Sequence, residues 1–113
     1  YREPLNSIHL SVPRPEPGLD APATAARTLA RWQQDGVLVQ DPLPGFYAYY
    51  QIFQLPGAPR EYVRRGFLAL IRATDWAERA VLRHEDTMPA AVNDRTALLA
   101  ATRFQSSATH GLY

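Results

Sequence analysis

Six ionisable side chains and one hydroxyl crowd the thirteen residues from Arg83 to Arg95: Arg83, His84, Glu85, Asp86, Thr87, Asp94 and Arg95. These are the parts of a phosphate-handling site. Arg83 and Arg95 can each grip phosphate oxygens with paired N–H groups, a geometry lysine lacks. The Thr87 hydroxyl and the amides of a following helical turn add uncharged donors, since a strand, a polar loop and a helix start together present N–H groups to an anion. Glu85 or His84 is placed to take a proton from a hydroxyl or to orient water. Asp86 and Asp94 would support the arginines. The same residues admit a structural reading, in which Glu85 and Asp94 pair with Arg83 and Arg95 and tie loop to helix. The sequence leaves the two level. A metal site is not predicted, because His84, Glu85, Asp86 and Asp94 match no standard ligand spacing. Nucleophilic catalysis is weaker still: there is no cysteine, and no serine sits in a G-x-S-x-G elbow.

Such a cluster needs elements to hold it. Val81-Leu82, after Ala80, predicts a short strand that delivers the loop. Thr87, two residues before Pro89, is a candidate N-cap or turn residue. The pattern beyond it predicts a helix from about Ala91 to Arg103, with Val92, Leu98, Leu99 and Thr102 facing inward. Asn93 and Asp94 then fall in its first turn, where an acidic side chain suits the helix dipole.

The rest of the chain supplies the scaffold. Ile8-His9-Leu10-Ser11-Val12 alternates apolar and polar, which predicts a half-buried strand with His9 on the solvent side. Pro13 to Pro22 is a proline-rich connector. Ala23 to Gln34 reads as a helix, with Asp20 as N-cap, Pro22 in the first turn and Gly36 as the left-handed stop. Ala25, Ala26, Leu29, Ala30 and Trp32 form its apolar stripe, Trp32 as core anchor. Val37-Leu38-Val39 suggests a short extended segment. Phe46 to Gln54 is the strongest strand in the sequence, aromatic on both faces, so both faces should be covered. A base-stacking platform is the competing reading of those rings, set aside for want of a basic partner face. A turn at Pro56 to Pro59 leads to a second strand, Tyr62 to Ala73, making an antiparallel hairpin. Arg60, Arg64 and Arg65 crowd its start, and Gly66 suggests a bulge or a close backbone approach. The predicted fold is α+β: a mostly antiparallel sheet built on this central hairpin, with two helices packed on it, as a single domain over 1–113.

Composition bounds the function. One domain of 113 residues with 46% hydrophobic and 20% charged residues is ordinary for a globular protein and excludes wholesale disorder. A net charge of +1 argues against nucleic acid as a partner. All twelve basic residues are arginine, a bias that a GC-rich genome explains as well as any demand for guanidinium chemistry. The absence of cysteine fits a cytoplasmic protein. No run is long and apolar enough to predict a membrane span, and no leader pattern opens the chain. Tyr1 in first position and the strand-like Gly111-Leu112-Tyr113 predict a piece of a longer protein with a flanking domain.

Arg83-His84-Glu85-Asp86-Thr87-Met88-Pro89, then Asn93-Asp94-Arg95 and Leu98-Leu99, resembles the H-E-x-T…D-R-x-x-L signature of a bacterial family, domain of unknown function one thousand and fifteen, loosely labelled SpoOJ/ParA/ParB/RepB-like. Asn6 to Pro13, the helix ending at Trp32 with Asp35-Gly36-Val37-Leu38, the Tyr47–Gln54 strand and Gly111-Leu112-Tyr113 fit it too. Two features depart from the pattern: Ser106-Ser107-Ala108-Thr109-His110 is polar where the family is apolar, and Ala90-Ala91 replace lysines. The family has no established activity. Its label implies a ParB/sulfiredoxin-like fold, a group that includes nucleotide-binding and phosphotransfer proteins, which is analogy at the level of fold. The reading that follows is a nucleotide- or phosphate-binding domain, with phosphotransfer or hydrolysis as its reaction and a nucleotide or phosphorylated small molecule as its partner. The alternative is a non-catalytic interaction or structural module of a larger protein.

Overall fold

The computed structural model of the chain describes residues 2–83 and 86–108. It is α+β, with helices and one two-stranded antiparallel sheet, and it divides into two compact units: Tyr1–Gln40 with Arg83–Tyr113, and Asp41–Leu82.

The first unit is helical, with α1 (Ile8–Ser11), α2 (Ala21–Gln34) and α3 (Pro89–Thr102), α2 meeting both others. The start of α2 follows from its sequence. Asp20 is the N-cap, its carboxylate accepting the Ala23 N–H at 2.8 Å, and Pro22 in the first turn forgoes no helical bond. Gly36, at φ 70°, ends it as predicted. The amides of Val37 and Leu38 then both donate to the Trp32 carbonyl, at 2.8 and 3.1 Å. Val37 to Val39 is therefore no strand: the carbonyls orphaned at the helix end claim the amides that a strand would need.

The predicted strand Ile8 to Val12 is instead the helical turn α1. Asn6 takes the Ile8 N–H on its side-chain oxygen at 2.9 Å, and the Ser7 carbonyl accepts from Leu10 and Ser11. A local side-chain acceptor ahead of a short apolar run lets the backbone close on itself, and this outweighs the alternation. His9 accordingly lies half-buried rather than on a solvent face. Its ring stands edge-on to Trp32 with centroids 6.4 Å apart, and its Nε2 lies 3.0 Å from the Glu3 carbonyl oxygen.

The core is small. Leu10, Leu29 and Trp32 form one buried cluster with Leu38 packed against it, and Ala25 and Leu98 are also buried. The stripe on α2 is narrower than predicted: Ala26 is half-buried and Ala30 exposed, while Thr24 is buried and donates its hydroxyl to the Asp20 carbonyl at 2.9 Å. The Trp32 indole nitrogen is buried with no hydrogen-bond partner.

The second unit is the hairpin of β1 (Tyr47–Gln54) and β2 (Glu61–Leu68), antiparallel, running from Tyr47 opposite Leu68 to Gln54 opposite Glu61. Pro56 and Gly57 are the central residues of its first turn. Gly57 at φ 78° and the Ala58 N–H bonded to the Leu55 carbonyl at 3.0 Å give the type II geometry. β2 stops at Leu68, short of the predicted Ala73. Gly66 pairs with Tyr49 in an uninterrupted ladder, and a methyl group there would meet nothing within 4 Å, so it marks neither a bulge nor a close approach.

Both faces of the hairpin are exposed, against the expectation that both would be covered: Phe67 is 71% accessible on one, and Tyr47 and Leu68 are 48% and 43% accessible on the other. The third strand expected at Val81-Leu82 is absent too. A short 3-10 turn, Trp76–Glu78, stands before it, closed by a capping box between Asp75 and Glu78. Arg79 then turns left-handed at φ 55°, which redirects the chain where a strand would have had to extend.

The Tyr47 hydroxyl donates to the Asp41 carboxylate, and that bond, with the carboxylate's charge, holds the phenol above its ordinary pKa of 10.0. A pKa raised by folding contributes stability below the unfolded value that is lost as pH rises through the folded one. Tyr47 should therefore ionise above its ordinary pKa in a spectrophotometric titration, and Asp41→Asn should lower its ionisation. An unchanged titration curve in that variant would show the bond to be absent in solution.

Candidate functional site

The candidate residues meet at the start of α3, and the helix begins earlier than the sequence suggests. Pro89 is its first residue and Met88 its N-cap, held extended at ψ 133° as the residue before a proline must be. Thr87 therefore stands one residue outside the helix and does not cap it. Asn93 and Asp94 fall in the second turn; no acidic residue occupies the first. Met88 has no side-chain acceptor for the free amides, and its carbonyl takes both the Ala91 and Val92 N–H groups, at 3.0 and 3.2 Å. With Pro89 lacking an N–H, this helix start offers an anion little of its backbone.

The arginines are held by acids. Arg83 pairs with Asp86 at 2.6 Å, where the sequence reading had paired it with Glu85. Arg95 pairs with Asp94 as expected: its Nε donates to the Asp94 carboxylate at 2.9 Å and one terminal nitrogen donates to the same oxygen. The other terminal nitrogen donates to the Ser11 carbonyl at 2.5 Å, tying α3 to the end of α1. Three of the five N–H groups of Arg95 are thereby used, and two are left uncommitted among the described residues. Half of its side chain is open to solvent.

Thr87 and Arg95 border one open pocket of about 310 Å³, walled by Ala91, Val92, Thr96 and Leu99. This corrects the predicted inward face of α3. Leu98 is buried and Thr102 half-buried, but Val92 and Leu99 are 46% and 47% exposed because they face this pocket rather than the core. The residues the sequence reading missed, Ala91, Thr96 and the pocket side of Val92 and Leu99, follow from helical spacing: 92, 95, 96 and 99 recur at three and four residues and share a face with Arg95. His84 and Glu85 lie outside the described residues. Arg83 and Asp86 are not among the residues lining the pocket.

A second, more polar hollow of about 160 Å³ lies against α2, lined by His9, Arg14, Glu16, Thr24 and Thr28. Among the described residues no three of His, Asp and Glu gather as a metal would require, and no helix is long and apolar enough to cross a membrane.

Comparison with known proteins gives a family. The family described as "Protein of unknown function (DUF1015)" matches residues 1–113, and the chain belongs to it. No curated protein and no solved structure matches the chain.

Proposed function

We propose that the pocket at the start of α3 binds the phosphate of a nucleotide or phosphorylated small molecule, and that in the whole protein it serves phosphotransfer or hydrolysis. The observation that carries this reading is the placing of Thr87 and Arg95 on one pocket whose remaining wall is largely apolar. A hydroxyl and a guanidinium at the rim suit an anionic group, and Ala91, Val92 and Leu99 suit the apolar body attached to it. Arg95 is held by three hydrogen bonds, two to one Asp94 oxygen and one to the Ser11 carbonyl, so its two remaining N–H groups are held in place before any ligand arrives. Arg83 is the second phosphate ligand of the proposal, released from Asp86 on binding. Glu85 or His84 takes the proton of the attacking hydroxyl. The cytoplasmic setting and the ParB-like relationship belong to the same proposal, the latter as analogy of fold.

Thermal denaturation of the chain in inorganic phosphate and in a panel of nucleotides tests it. A ligand bound only to the native state stabilises it by about 2.7 kcal/mol at a hundredfold excess over Kd, so the midpoint rises with ligand concentration. Glu85→Gln should keep that rise, since it removes the base and not the grip. Arg95→Ala should abolish it. Asp94→Asn should shrink it, because the neutral amide holds the Arg95 guanidinium less firmly than the carboxylate. The competing reading, a structural ion-pair network, expects no rise with any ligand and a lower midpoint for both Arg95→Ala and Asp94→Asn. That pattern would end the phosphate proposal.

A further inference from the structure

The hairpin carries a cluster of rings and arginines that takes no part in the pocket. On one face, Phe53 and Tyr62 sit opposite each other in the ladder, stacked with centroids 5.8 Å apart and planes 23° apart. The Arg60 guanidinium lies 4.7 Å from the Tyr62 ring centre and that of Arg64 lies 5.7 Å from the Phe53 ring centre. Arg65 is on the other face, opposite Tyr50. These are the basic residues whose absence from the ring face had counted against a recognition role. None of the three arginines has an ion-pair or hydrogen-bond partner among the described residues, unlike Arg27, Arg83 and Arg95. The stretch from Arg60 to Leu68 holds these three cations and one anion, Glu61, for a net +2.

The sheet has two strands, so the outer edge of β2 leaves alternate N–H and C=O groups without a strand partner. We propose that this edge accepts an extended acidic peptide segment of a protein partner by strand addition. Main-chain bonds to the open edge supply affinity, and the arginines supply selection for charge. Arg60 stands just before β2 and Arg64 within it, so an added strand that runs past the start of β2 can reach both with carboxylates at positions i and i+4, which lie roughly 13 Å apart on one face. A carboxylate on its other face meets Arg65. The opposite edge, on β1, carries no charged residue from Tyr47 to Gln54 and offers no such selection. A second copy of the chain is disfavoured, since it would set +2 against +2. A single-stranded nucleic acid shares the charge requirement, but Phe53 and Tyr62 already stack on each other and under guanidinium groups. A base could use them only by displacing one of those partners.

The test is fluorescence anisotropy of a labelled ten-residue peptide with alternating Glu and Val titrated with the chain. Arms with alternating Gln and Val, with a scrambled Glu-Val peptide of equal charge, and with a labelled oligo-dT run beside it. The alternating acidic peptide should bind at least tenfold more tightly than the other three. Arg64→Glu and Arg60→Glu should each weaken it at least tenfold, while circular dichroism confirms that the variants remain folded. Arg64→Lys should retain most of the binding, because the charge survives. Equal binding of the scrambled peptide would overturn strand addition, and tighter binding of oligo-dT would replace the acidic peptide by nucleic acid. Absence of binding by the alternating peptide at millimolar concentration would end the proposal.

Discussion

Trp32→Ala should unfold the helical unit or bring it to the edge of unfolding at 25 °C. Trp32 is 3% exposed and joins Leu10 and Leu29 in the only cluster of buried residues described, with Leu38 against it. Removing a buried indole costs about 3–5 kcal/mol, and small domains hold only about 5–15 kcal/mol in all. Here the loss falls on a unit whose buried apolar residues are Leu10, Ala25, Leu29, Trp32 and Leu98. It also removes the ring against which His9 packs edge-on and a member of the cluster that Leu10 belongs to and Leu38 packs against. Trp32→Phe should do far less damage. Phenylalanine refills most of the space, and it deletes a buried indole N–H that has no acceptor and so disfavours the native state by roughly 1–3 kcal/mol. Urea denaturation followed by far-ultraviolet circular dichroism measures both. In a Trp76→Phe background, the emission of Trp32 alone should be blue-shifted in the native chain, since Trp76 is 58% exposed and contributes the solvent-like signal. A Trp32→Ala midpoint close to that of the parent would remove Trp32 from the core.

Trp32 was legible in the sequence because a helix imposes a period, and Leu29 and Trp32 share a face whatever surrounds them. The N-cap at Asp20 and the stop at Gly36 were legible for a related reason: each satisfies groups within a few residues of itself. The same holds for the hairpin, where Pro56-Gly57 sets the turn and hence the register. Strands outside the hairpin were not legible. Ile8 to Val12 and Val37 to Val39 have strand-like composition, yet each lies beside a group that captures its amides first, Asn6 with Ser7 in one case and the Trp32 carbonyl in the other. A strand needs a distant partner, and composition does not say whether one is in reach.

The site was legible in content more than in arrangement. Thr87 and Arg95 were singled out by residue type, and both border the pocket. What failed was the start of the helix and the width of its inward face. Placing its start at Ala91 put Asp94 in the first turn as a dipole partner. Starting at Pro89 puts it one turn later, which removes the dipole role and leaves the expected ion pair with Arg95. Neighbouring residues of a helix point about 100° apart, so Leu98 and Leu99 cannot both face inward as expected. Leu98 goes to the core, and Leu99 falls on the face of Arg95, four residues along.

That separation yields the second large effect. Leu98→Ala should destabilise the helical unit by about 2–5 kcal/mol, because Leu98 is 4% exposed and its loss leaves a cavity in the packing that holds α3 in place. Leu99→Ala, one residue on, should cost less than about 1 kcal/mol, since nearly half of Leu99 already meets solvent. Its effect should appear instead in the ligand experiment, where losing an apolar wall of the pocket weakens a ligand with an apolar body and leaves inorganic phosphate unaffected. Together the two variants separate the helix as a packed element from the helix as a pocket wall. Equal losses of stability from both would mean that Leu99 is covered in solution and the pocket closed, and the proposed binding of a phosphorylated molecule there would lose its apolar half. A selective loss of nucleotide binding in Leu99→Ala, with the unfolding midpoint held, would place the body of the ligand against the face of α3 that also carries Arg95.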